Sequence, residues 1–245
     1  MDETPKPPLT ARITKWLGLA ALALAVLGPT LARYDLIGKL PGFTALLGAG
    51  ALSLIAILLG LVALSIAWGK RKGGAKTALI GLIPALLVFG FLAFGASSAG
   101  KYPAIHDATT DLADPPAFEV LELRKDNLVG VETVENWRKI HAEAYPELAT
   151  IIIDKPVAEV IADAEKLANA RGWTVAKADP AAGRLEATAY AAWIRFQDDV
   201  VLRARPLDDG QRSEVDMRSV SRVGVGDLGY NANRVKEFLA DLKGV

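Results

Sequence analysis

Three runs of uncharged, mostly apolar residues fill most of the first hundred positions: Trp16–Ala32, Leu40–Gly69 and Thr77–Gly100. A helix needs roughly 20 apolar residues to cross a hydrocarbon core of about 30 Å, so the second and third runs qualify by length. The first sits at the lower limit. The pattern predicts transmembrane helices over about 16–33, 42–68 and 77–98. Gly28-Pro29 is expected to bend or shorten the first of them. That first run also has the marks of a signal peptide, with Arg12 and Lys15 before an apolar Leu17–Leu27 and small residues at Thr30 and Ala32. A retained helix is the preferred reading, because two later helices already anchor the chain, and either reading exports the same segment.

After Gly100 the pattern changes. Residues 101–131 read as a linker, since Pro103, Asp114, Pro115 and Pro116 favour turns, with a short strand expected at Phe118–Leu123. Residues 132–245 read as a folded domain. Thr133 is placed to cap a helix over Val134–Tyr145, with Trp137, Ile140, His141 and Ala144 on one face and Pro146 beyond its end. Ala149–Ile153 predicts a short buried strand. Pro156 opens a helix whose Val157, Val160, Ile161, Ala164, Leu167 and Ala168 form an apolar face, and Gly172 ends it.

Strands follow at Trp173–Ala178 and Arg184–Ile194, around a turn at 179–183. The next pair, Asp199–Leu207 and Arg212–Arg222, is joined through Asp209-Gly210, a strong hairpin signal. Centring the turn there sets Arg205 opposite Glu214 and Arg203 opposite Asp216, with Val200, Leu202, Val215 and Met217 on the other face. A last helix, Leu228–Lys243, buries Ala232, Val235, Leu239 and Leu242. The fold class expected is a three-helix transmembrane anchor (residues 1–100) followed by an α+β domain, an antiparallel sheet with helices packed on one face.

Charge sharpens this division. The 245 residues hold 28 Lys+Arg and 28 Asp+Glu, a net charge of zero. Residues 1–100 carry nine basic and three acidic residues, a balance of +6, so residues 101–245 carry −6. Lys6, Arg12, Lys15, Lys70, Arg71, Lys72 and Lys76 flank one side of the predicted spans, against Arg33, Lys39 and Lys101 on the other. Seven against three puts the N-terminus and the 69–76 loop in the cytoplasm and exports everything after Tyr102. The expected location is a bacterial inner membrane, multi-pass, with the C-terminal domain in the periplasm. With no cysteine, disulfides, Cys-bound zinc, iron–sulfur clusters and thiol nucleophiles are excluded. The three apolar runs contain no ionisable residue, which argues for an anchor over a transporter.

The motifs are few. Gly224-Val225-Gly226-Asp227-Leu228-Gly229 matches G-x-G-x-x-G, but no second parallel strand follows it and no acidic residue stands about twenty positions on. Asp227 reads better as the N-cap of the last helix. His106, Asp107 and Asp111 are too few to read as a metal site, and no nucleophile elbow or P-loop is present. The charged sheet face, with Asp199, Arg203, Arg205, Glu214, Asp216, Arg218 and Arg222, is either a solvated set of ion pairs or a groove for an anion. Arg218 and Arg222 face no acid directly in this register, which makes them the better anion candidates.

These residues carry a resemblance. Ile105-His106-Asp107-Ala108-Thr109-Thr110-Asp111 followed by Pro115-Pro116 is similar to the opening motif of the family catalogued as domain of unknown function 1499. Tyr145-Pro146, Phe196–Val200, Asp216–Gly224 and Asp227–Ala232 resemble its later motifs. The resemblance spans roughly Tyr102 to Leu242, and Ala108 stands where a larger aliphatic residue is usual. It names positions without roles: His106, Asp107, Thr110, Asp111, Asp199, Arg218, Ser219, Arg222, Asp227 and Asn231, to which the sheet register adds Arg203.

The function expected is a membrane-anchored periplasmic binding or accessory domain, a subunit or assembly factor of an inner-membrane complex, and not an enzyme. The alternatives are a lipid- or small-ligand-binding protein, or a hydrolase-like enzyme using His106, Asp107 and Arg218. Membrane lipid and a membrane-protein complex are the expected partners; nucleic acid, cofactors and metals are not expected.

Overall fold

The computed structural model describes residues 6–69, 73–207 and 210–245; Lys70, Arg71 and Lys72 of the basic loop and Asp209 of the hairpin turn lie outside them. The chain divides into two compact units, one within the first hundred residues and one of residues 101–192 and 196–245.

The first unit is three helices: α1 (Leu9–Arg33), α2 (Lys39–Gly69) and α3 (Ala75–Ala99). All three are long and apolar enough to cross a membrane. The first runs without a break through Pro29 to Arg33 and starts seven residues earlier than the charge-free run, so the expected shortening does not occur. Large apolar side chains such as Leu58, Leu87 and Phe94 point outward, whereas Ala21, Ala49, Ala56 and Ala85 are fully buried. This inversion is what helices in lipid require, because the tails solvate leucine and only small residues let backbones approach. Helices α1 and α3 approach closely, and a methyl group added at Gly18 would strike the carbonyl of Gly81. Three hydroxyls return to their own helix, Thr30 donating to Val26 O at 2.6 Å, Ser65 to Leu61 O at 3.0 Å and Ser97 to Phe94 O at 2.7 Å.

The second unit contains β1 (Asp107–Thr109), α4 (Val134–Ala144), β2 (Ile151–Ile153), α5 (Val157–Ala170), β3 (Thr174–Asp179), β4 (Arg184–Ala191), β5 (Phe196–Leu207), β6 (Arg212–Ser221) and α6 (Tyr230–Gly244). All strand pairs are antiparallel, in the order β1-β6-β5-β4-β3, and β2 also pairs with β6. Thus β1 and β2 share one edge of β6: β2 lies beside Ser213–Val215 and β1 beside Arg218–Val220. The expected hairpin register holds, with Arg205 opposite Glu214 and Arg203 opposite Asp216.

One sheet face carries Leu185, Val200, Leu202, Val215 and Met217, packed against Val160, Ile161 and Ala164 of α5 and Val235, Phe238 and Leu239 of α6. Each such side chain, fully buried, stabilises by roughly 1.5–3 kcal/mol. Three expectations need correction. Residues 118–123 form no strand; the strand of the 101–131 segment is β1 instead. Ile152 in β2 is half exposed, because it stands opposite Glu214 on the charged face and not on the face that takes the helices. The strand expected over Arg184–Ile194 ends at Ala191, and Trp193 beyond it is exposed.

Candidate functional site

The second sheet face is charged, as its alternation requires, but its centre is not solvated. Glu186 and Asp216 are fully buried, and Asp199 is nearly so. What covers them is the segment from Thr110 to Asn127, the stretch expected as a linker. A strap without its own strand or helix must satisfy its backbone polar groups elsewhere. Here the sheet's charged side chains supply the partners. The Glu186 carboxylate accepts three consecutive backbone N–H bonds, from Glu119, Val120 and Leu121, at 2.7, 3.0 and 2.8 Å. Arg184 donates to Ala117 O, and Arg203 donates to Asp114 O at 2.9 Å. Arg203 also bonds Asp111, Asp114 and Asp216, while Thr110 and Thr150 both donate to Asp216.

The free edge of β1 is closed differently. In this register residues 106, 108 and 110 face β6, so 107 and 109 present unpaired backbone groups outward. Helix α4 fills that role with side chains. Trp137 Nε1 donates to Asp107 O at 3.0 Å, and the Thr109 N–H donates to His141 Nε2 at 3.0 Å. Accepting at Nε2 requires a neutral imidazole, and burial holds His141 below its ordinary pKa.

Between the strap and α4 lies a cleft of about 550 Å³. Its floor is an ion pair: Arg218 Nε donates to Asp107 Oδ1 at 2.9 Å, and Nη2 to Oδ2 at 2.6 Å. Asn127 adds a third bond to Asp107 Oδ2 at 2.6 Å. Arg218 also sits over the Trp137 ring, 6.0 Å from its centroid. On the strap side, Arg124 grips Asp126 through two bonds, which pull that exposed carboxyl down to about 2. Arg124 and Arg218 are therefore neutralised in place. The other two lining cations, Lys125 and Arg138, take part in no ion pair among the described residues; Arg138 donates to the carbonyls of Leu112 and Ala113. The cleft carries two uncompensated positive charges.

Of the residues singled out in the sequence, Asp107 and Arg218 come together in this cleft. Asp107 has both oxygens committed, so it orients Arg218 and is not placed as a base. Arg222 does face an acid after all, since it makes two bonds to Asp199, at 2.9 and 2.8 Å, and one to Thr188. Direct opposition of β6 and β5 passes over both the diagonal Asp199 and Asp107 on β1, which is why neither arginine showed a partner in the hairpin register. His106 donates from Nδ1 to Val225 O at 3.0 Å and stands apart from the Asp107–Arg218 pair's bonding. Ser219 and Asn231 lie on the helix-covered face, in a buried cluster with Arg234, Asp198 and Ser221. Asp227 accepts from Gly229 N and Asn231 N and so caps α6 from two residues ahead of its N-cap Gly229; burial raises its pKa. Four residues of the cleft carry no sequence signal of their own: Arg124, Lys125, Asn127 and Arg138. Three of them stand in the segment expected as a linker, and only the charge pair Arg124-Lys125 hints at them.

Among the described residues no group of three His, Asp or Glu is placed to hold a metal ion. A family model matches residues 107–242, from β1 into α6, and is described as Protein of unknown function (DUF1499). No curated protein matches the sequence.

Proposed function

The chain belongs to the DUF1499 family, and we propose that it is a membrane-tethered binding domain, exported to the periplasmic side, which takes an anionic ligand in the cleft between the strap and α4. The observation that carries this reading is the floor of the cleft. A bidentate Arg218–Asp107 pair is held rigid by Asn127 and Trp137, while Lys125 and Arg138 are left without counter-charge. Two cations in a concave, partly apolar site raise the local concentration of anions and favour their capture. The site offers no aligned nucleophile and base, so binding is favoured over hydrolysis.

Isothermal titration of the full chain in nanodiscs of zwitterionic lipid tests this. A soluble organophosphate or carboxylate is expected to bind to the wild-type chain and to lose at least tenfold in affinity in Lys125→Glu. No binding by any anion, or binding indifferent to Lys125, overturns the reading. Export is supported by the seven-to-three excess of basic residues on one side of the helices. Because the natural chain lacks cysteine, single cysteines at Lys6 and Val245 test it with a membrane-impermeant maleimide: only Val245→Cys should label in intact spheroplasts.

An accessory role in an inner-membrane complex is a second reading, favoured by α3, where Gly90 and Gly95 have open space beside them. Co-purification in mild detergent with a stoichiometric partner supports it, and an isolated monomer overturns it.

A further inference from the structure

The anion-binding reading leaves most of the cleft unused. A volume of about 550 Å³ falls among those of sites for drug-sized ligands, about 300–1,000 Å³, and exceeds what a lone phosphate or carboxylate fills. The remaining lining has a definite character. On α4, Val134 and Arg138 are four residues apart and so share a helix face. On the strap, Leu123 stands two residues before Lys125. Both Val134 and Leu123 are large apolar side chains exposed by more than a third, and Trp137 closes the site beneath them. Each wall therefore pairs one cation with one exposed hydrophobe.

We infer that the ligand is an anionic amphiphile: a phosphate or carboxylate head held by Lys125 and Arg138, carrying a single apolar body that lies on Leu123, Val134 and Trp137. This rests on the anion-binding reading and goes beyond it in assigning the apolar half. Lys125 and Arg138 have no counter-charge in the free domain, and Leu123 and Val134 beside them stay exposed to water. A ligand of both characters satisfies them together. An inorganic anion would satisfy only the cations, and a neutral lipid only the hydrophobes. The head contributes charge-assisted bonds, and the apolar body supplies the affinity that grows with its length.

A chain-length series decides the matter. Inorganic phosphate, butyl phosphate, octyl phosphate and the uncharged octyl glucoside are titrated into the full-length protein in zwitterionic nanodiscs. Empty discs of the same lipid serve as the blank for partition, and the Lys125→Glu variant in identical discs reports the loss of the head contact. Each methylene removed from water strengthens binding about fourfold, so octyl phosphate, longer by four methylenes, should bind roughly 250-fold tighter than butyl phosphate. Val134→Asn should weaken octyl phosphate while leaving inorganic phosphate unchanged, which separates loss of the apolar wall from misfolding. Equal affinity across the phosphates, lost in Lys125→Glu, overturns the amphiphile and leaves the anion site standing. Equal binding of octyl glucoside, or no binding of any probe, overturns both. Doping the discs with anionic phospholipid then separates two sources of the same chemistry: competition with octyl phosphate marks a bilayer lipid as the ligand, and undiminished binding marks a free amphiphile.

Discussion

At the scale of single residues, the second unit depends on groups far apart in sequence that hold each other's charge. Arg218 and Asp107 are the clearest pair, with Asp107 only 2% exposed. Removing one partner from a buried pair strands the other, which costs about 3–5 kcal/mol, whereas replacing both with apolar residues is often neutral. Asp107→Ala is therefore expected to lower unfolding stability by about 3–5 kcal/mol, and Asp107→Leu combined with Arg218→Met to recover much of it; denaturant titration of the full chain in micelles checks this. Equal losses in the single and double variants would sink it. His141 gives a pH signature. Its folded pKa is depressed by burial while the unfolded imidazole titrates near 6.5, so the unfolded chain binds the extra proton first. Stability is then full above about pH 6.5 and falls as the pH drops below it. His141→Gln keeps an acceptor for the Thr109 N–H and should flatten this acid limb; melting temperatures between pH 7.5 and 5 measure it. Asp107, Arg218 and His141 are all visible in the sequence. Their partnerships are not, because one contact spans 111 residues and another 32.

At the scale of elements, period alone serves well where an element buries one face and poorly where both faces are covered. The apolar stripes of α5 and α6 and the hairpin register are legible, as is Thr133 capping α4 through the Asn136 N–H. The alternation of β4 is legible too, yet it suggests a wet polar face. Glu186 and Thr188 are buried because the strap lies over them, and a strap stabilised by side chains leaves no periodic trace. Its proline content, which reads as linker chemistry, is what allows it to run extended without backbone partners of its own. Glu186→Gln tests this cover. The neutral amide keeps the shape but turns one acceptor into a donor facing backbone N–H groups, at a cost of about 1–3 kcal/mol. Hydrogen exchange should quicken at Glu119–Leu121 well before the β5–β6 core responds. Protection unchanged at those three amides would show the strap is held by something else. In the membrane unit the corresponding contact is glycine on glycine, and Gly81→Leu is expected to separate α1 from α3 and lower the thermal stability of the helical unit in detergent.

At the scale of the whole molecule, the charge count alone divides the chain into a basic apolar part and an acidic globular part. Composition leaves the boundary between them graded, with 101–131 belonging to neither part. The contacts assign it to the globular unit: β1 is an edge strand, Ile105 and Ala108 belong to a cluster with Val131, Trp137 and Tyr145, and the strap supplies partners to Arg184, Glu186, Arg203 and Asp216 of the sheet. A chain beginning at Glu132 keeps β2 to β6 and all of the main α5–α6 core, so by hydrophobic burial alone it ought to fold. It would also leave the Glu186 carboxylate without its backbone donors, Arg218 without Asp107, and Trp137 and His141 facing no strand. Charge-assisted bonds of this kind are worth about 1.5–3 kcal/mol each, and losing them together with the apolar contacts of Ile105 and Ala108 rivals the roughly 5–15 kcal/mol that a domain has in reserve. A chain of residues 101–245 is therefore expected to give a dispersed amide spectrum and a cooperative melt, and one of residues 132–245 to give neither. If the shorter chain folds with native-like stability, the charged face tolerates water, and the strap is an accessory to the sheet instead of part of its structure.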